Sequence, residues 1–92
     1  MRIEQVEIYS DVSNFAVMRH PGRNFPGSLI QGDSLSLLLE EATELYSLAC
    51  STGNEDLIEL AREHKEKLEV RLSVFAEAMS SHNISYPGVS GA

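Results

Sequence analysis

Residues 35–49 read LSLLLEEATELYSLA. Leu35, Leu38, Leu39, Ala42, Leu45, Tyr46 and Ala49 recur at helical spacing and fall on one wide apolar stripe. Glu40, Glu41 and Glu44 take the other side, within about one quadrant at roughly 100° per residue. A helix of this kind must bury its stripe against a second element, and the chain supplies one directly downstream. Gly53 suits the left-handed residue that closes a helix, and Asn54 suits the cap that opens the next, with Glu55 and Asp56 favourable in its first turn. A second helix is expected over 55–82, with Leu57, Ala61, Leu68, Leu72, Phe75 and Met79 as its main stripe. A connection this short makes the two helices antiparallel neighbours.

Upstream the periodicity changes. Ile3, Val6 and Ile8 alternate imperfectly with acids over residues 2–9, Phe15 to Met18 reads as a second strand, and Leu29 to Gln31 as a short third. Between the last two lies PGRNFPG, residues 21–27, whose two Pro-Gly pairs favour turns. Asp33 or Ser34 is placed to cap the first helix. The expected class is therefore α+β: a short N-terminal β element of two or three strands packed on an antiparallel two-helix hairpin. Residues 1–82 form a single small domain, with the β element over 1–34 and the hairpin over 35–82. Residues 83–92, NISYPGVSGA, are expected to be a flexible tail.

Each helix carries a second apolar side. Leu37 and Leu48 share a sector with Glu41 and Glu44, in the order Leu-Glu-Glu-Leu at 4-3-4 spacing. On the second helix Leu60, Val70, Val74 and Ala78 lie away from the main stripe. One hairpin cannot bury both sides of both helices, so a homodimer completing a four-helix bundle is expected.

Composition narrows the function classes. Ninety-two residues with 42% hydrophobic content make one small globular unit. Seven basic against fourteen acidic residues give a net charge of −7, which argues against nucleic-acid and anionic-membrane partners. No apolar run approaches membrane-spanning length, and MRIEQVEIYS lacks the pattern of a signal peptide, so a cytoplasmic location is expected. Cys50 is the sole cysteine and is expected to be buried; the three histidines have no zinc-ligand spacing.

Two constellations carry possible chemistry. Glu40-Glu41-Ala42-Thr43-Glu44 resembles the EExxE half-motif of the MazG-like, all-α nucleotide pyrophosphohydrolases. That resemblance implies Mg²⁺ held by Glu40, Glu41 and Glu44, hard oxygen ligands for a hard cation. It implies completion by an ExxD pair on the next helix, for which Glu63-His64-Lys65-Glu66 is the nearest equivalent, with Glu66 in place of Asp. The alternative function is thus a Mg²⁺-dependent nucleoside triphosphate pyrophosphohydrolase. The bland alternative is a solvated acidic face, since glutamate favours any exposed helix.

The other constellation is Arg19-His20-Pro21-Gly22-Arg23-Asn24-Phe25-Pro26-Gly27, followed by Gln31-Gly32-Asp33-Ser34-Leu35. It resembles a small uncharacterised bacterial family whose signature reads approximately PGRxFPGxxxQGDSL and which has no assigned activity. Read from the residues, Arg19, His20 and Arg23 in a Pro-bounded loop, with Gln31, Asp33 and Ser34 at a helix start, form a candidate anion- or partner-binding site. The structural alternative has Phe25 plugging the core and the arginines pairing with surface glutamates. A non-enzymatic interaction or accessory module, with no cofactor and an unidentified protein partner, is the reading favoured from sequence.

Overall fold

Two helices joined at Gly53 dominate the computed structural model, which describes residues 1–85. Helix α1 spans Gly32–Thr52 and helix α2 spans Glu55–Ser81. The turn between them uses the expected chemistry. Gly53 adopts φ +70°, where a side chain would be strained, and its N–H donates to the Cys50 carbonyl at 3.2 Å. Asn54 sits extended at φ −81°, ψ 109°, and its Oδ1 accepts from the Leu57 N–H at 3.1 Å. Replacing Asn54 by Ala removes that acceptor and should cost about 1 kcal/mol, read as a lower urea midpoint with unchanged m-value. At the far end, Asn83 takes a left-handed φ of 56°, and the Ile84 N–H donates to the Met79 carbonyl at 2.9 Å, closing α2.

Small residues make the seam between the helices. Ala42 and Ala49 on α1 are buried together with Leu35, and Leu68 is the buried residue of α2. Alanines at seven-residue spacing let the backbones approach closely, so larger side chains flank the seam instead of filling it. Leu45 and Leu57, expected in the main stripes, accordingly remain 56% and 44% exposed. The opposite flank is polar and aromatic. The Arg62 guanidinium lies 5.8 Å and the Lys65 ammonium 5.4 Å from the Tyr46 ring centre. Arg62 also pairs with Glu59 at 2.7 Å, and Lys65 with Glu69 at 3.3 Å.

Helix α1 starts at Gly32, earlier than the expected cap at Asp33 or Ser34. Gly32 is buried against Phe75 of α2, and a Cβ there would lie 2.2 Å from Phe75 Cζ. Only glycine permits that approach. Asp33 and Ser34 therefore fall inside the first turn, where Asp33 suits the helix dipole and its Oδ1 accepts from the Ser34 N–H at 2.8 Å.

Residues 1–31 form one compact unit, and the helical unit begins at Gly32. Strands β1 (Glu7–Ser10), β2 (Phe15–Arg19) and β3 (Gly27–Ile30) make an antiparallel meander in the order β1-β2-β3. Phe15 pairs with Ile30 and Met18 with Gly27, while Glu7 pairs with Arg19. The register shifts between Ile8 and Ser10, a bulge that leaves Tyr9 as the extra residue. The first strand is shorter than residues 2–9 suggested, because β2 offers pairing partners only as far as Arg19. The chain is thus α+β, a three-stranded sheet followed by two helices. The tail expected over 83–92 lies outside the described residues from Tyr86 onward.

Candidate functional site

The β2–β3 connection is held by its own backbone and by Arg19. The Arg23 N–H donates to the His20 carbonyl at 2.9 Å, and the Gly22 N–H donates to His20 Nδ1 at 3.1 Å. Arg19 NH1 donates to the Arg23 carbonyl at 3.1 Å, bracing the loop from inside. Its Nε donates to the Glu7 carboxylate, the residue opposite it in the sheet. That hydrogen bond, a second from the Tyr9 hydroxyl at 3.1 Å and the charge of Arg19 hold the Glu7 carboxyl below its ordinary range. Arg19 is therefore a structural brace, paired with a surface glutamate as the structural alternative had it. Arg23 and His20 remain at the surface, beside a shallow depression of about 250 Å³ that Met18, Phe25 and Leu29 also line. Phe25 is 83% exposed, so it does not plug a core. Gln31 closes this unit and is exposed, while Asp33 and Ser34 belong to the helical unit.

The glutamates do not gather. Among the described residues, no group of three or more His, Cys, Asp or Glu side chains is arranged to hold a metal ion. Helix geometry explains this. Glu41 and Glu44 share the row of Leu48, whereas Glu66 acts on Arg62, which sits over Tyr46 on the opposite flank. Glu63 lies on the side of α2 turned away from the buried Leu68, and Glu40 on the outer side of α1. Lys65, between Glu63 and Glu66 in sequence, is engaged with Tyr46 and Glu69. The Tyr46 hydroxyl and, after it, Glu59 hold the Arg62 guanidinium above its usual range. Cys50 is exposed, contrary to expectation, because it lies one residue past the buried Ala49 and outside the alanine seam.

The helical unit carries an apolar groove near the Gly53 turn. Leu45, Leu48, Leu57, Leu60, Ala61 and His64 line it, and it encloses about 360 Å³. Leu48 and Leu60 are 59% and 66% exposed. The sequence pointed to Leu48 and Leu60 through the second apolar side of each helix. Leu45 and Leu57 are additions: they belong to the main stripes, yet they lie largely outside the buried seam.

Among the described residues no helix is long and apolar enough to cross a membrane. No curated protein and no solved structure matches the chain. One family model does, over residues 1–87, and it spans the meander, both helices and the glycine-dependent junction described above. The chain belongs to that family, a family of unknown function (DUF6959).

Proposed function

We propose that this protein is a cytoplasmic, non-enzymatic interaction module that works as a homodimer through its helical hairpin. The observation that carries the reading is the leucine-lined groove. Leu45, Leu48, Leu57 and Leu60 form a contiguous apolar surface on a hairpin whose buried hydrophobic residues, among those described, are only Leu35, Ala42, Ala49 and Leu68. Contiguous apolar patches of this kind mark interaction sites, and a hairpin with so few buried side chains gains stability by covering one. In the β unit, His20, Arg23 and Phe25 make the face assigned to a further protein partner. Size-exclusion chromatography with light scattering tests the dimer. A mass of twice 10.2 kDa is expected in the tens-of-micromolar range, and a 10.2 kDa species throughout contradicts it.

The divergence of the glutamates favours this reading over a pyrophosphohydrolase. Incubation with a panel of nucleoside triphosphates and Mg²⁺ or Mn²⁺ should release no pyrophosphate. Turnover that disappears in Glu41→Gln would instead promote the Mg²⁺-dependent enzyme.

A further inference from the structure

We propose that in the dimer α1 of one copy lies along α2 of the other, about a two-fold axis parallel to the helices, so that both Gly53 turns sit at the same end. This rests on the homodimer reading and adds which helix meets which. The groove fixes the face, because Leu48 of α1 and Leu60 of α2 both line it. From Leu48, a row runs along α1 at 4-3-4 spacing through Glu44 and Glu41 to Leu37. From Leu60, a row at the same spacing runs along α2 through His64 and Lys67 to Arg71. Members of the two rows lie at matching distances from the turn, to within about 3 Å at a rise of about 1.5 Å per residue. Leu48 is level with Leu60, Glu44 with His64, Glu41 with Lys67 and Leu37 with Arg71. One row is acidic and the other basic. All four of Glu41, Glu44, Lys67 and Arg71 are exposed, and among the described residues none forms an ion pair within its own chain.

Two hairpins pressed face to face about a two-fold axis have two simple arrangements. An axis across the helices lays α1 on α1 of the second copy, setting the acidic row against itself and the basic row against itself. An axis along the helices lays α1 on α2 of the second copy and keeps every residue at its own height. Glu41 then meets Lys67 of the second copy, Glu44 meets its His64, and the leucines of the two grooves meet near the turns. Electrostatic complementarity selects the second arrangement and sets its register. The area suffices as well. A helix of 21 residues is about 31 Å long, and two packed helices are about 18 Å wide. Each copy thus offers on the order of 600 Å² of projected face, near the lower limit of a stable interface.

The test is sedimentation equilibrium on the full chain and three variants: Glu41→Lys, Lys67→Glu, and both together. Each single reversal breaks the Glu41–Lys67 pair on both sides of the two-fold axis and should weaken the dimer about tenfold, and the double variant should recover to within about threefold of the wild type. Raising NaCl from 50 to 500 mM should weaken the wild-type dimer. A wild-type dimer indifferent to the reversals, or one with no recovery in the double variant, overturns this arrangement and leaves the homodimer intact. A wild type that stays monomeric at 100 μM overturns both. Circular dichroism checks that the variants keep their helices. Should any unfold, the cycle of Glu41→Gln against Lys67→Gln supplies the answer, with coupling in the dimer constant expected and additivity contradicting the arrangement.

Discussion

Gly32→Ala should destabilise the helical unit by about 2 kcal/mol and lower its melting temperature by about 10 °C. The new Cβ would lie 2.2 Å from Phe75 Cζ and 2.3 Å from its Cε1, distances no relaxed contact tolerates. The aromatic ring must therefore tilt, or α1 must lift from α2 at its first turn. A helix normally gains from replacing glycine by alanine, so the sign of the effect is itself diagnostic. Gly27→Ala is the control, because nothing lies within 4 Å of a Cβ there. Shortening the opposing ring relieves the clash. The double variant Gly32→Ala with Phe75→Leu should lose less than the sum of the two single changes. Urea unfolding followed by circular dichroism reads all four proteins, and an additive double variant would show that Phe75 is not what Gly32 makes room for.

Leu48→Glu should weaken the proposed homodimer at least about a hundredfold while leaving the stability of the single chain nearly unchanged. Leu48 is 59% exposed in one chain, and glutamate is a good helix former at an exposed site. In the proposed seam the same position is covered by the second copy. The substitution then forfeits the burial of a leucine, about 1.5–3 kcal/mol, and adds an uncompensated carboxylate beside Glu44. Each 1.4 kcal/mol is about a tenfold change in the dimer constant. Val74→Glu, farther from the groove on the same broad side of α2, should act in the same direction with a smaller effect. Glu59→Lys, on the flank where Glu59 pairs with Arg62, should leave the dimer unchanged. Sedimentation equilibrium across micromolar to hundred-micromolar concentrations separates these outcomes.

What the sequence disclosed follows the range of the interactions responsible. The Gly53–Asn54 turn was legible because both signals are local: a left-handed glycine and a side chain capping an amide three residues on. The two long helices were legible for the same reason, through their period. The close packing at Gly32 was not, because it is made by Phe75, a residue more than forty positions away. Leu45 and Leu57 look like core residues in any helical projection. Their exposure is a property of the packed pair and not of either helix. In the β unit, the commitment of Arg19 to Glu7 depends on strand register, which a four-residue strand with a bulge does not announce. His20, Arg23 and Phe25 line one surface depression, although the sequence pattern suggested Phe25 as a core plug. The acidic triplet illustrates the limit of a motif. EExxE places Glu40, Glu41 and Glu44 on one helix, but the helix that should complete the site turns Glu63 and Glu66 elsewhere.

The most direct test of the hairpin as a self-pairing surface is an isotope-filtered nuclear Overhauser experiment on a mixture of ¹³C-labelled and unlabelled protein. Cross-peaks between copies are expected from the methyl groups of Leu45, Leu48, Leu57 and Leu60, with Leu48 of one copy near Leu60 of the other. Those methyls give only intramolecular peaks if the protein is monomeric, or if its copies meet through the β unit, and either pattern contradicts the account.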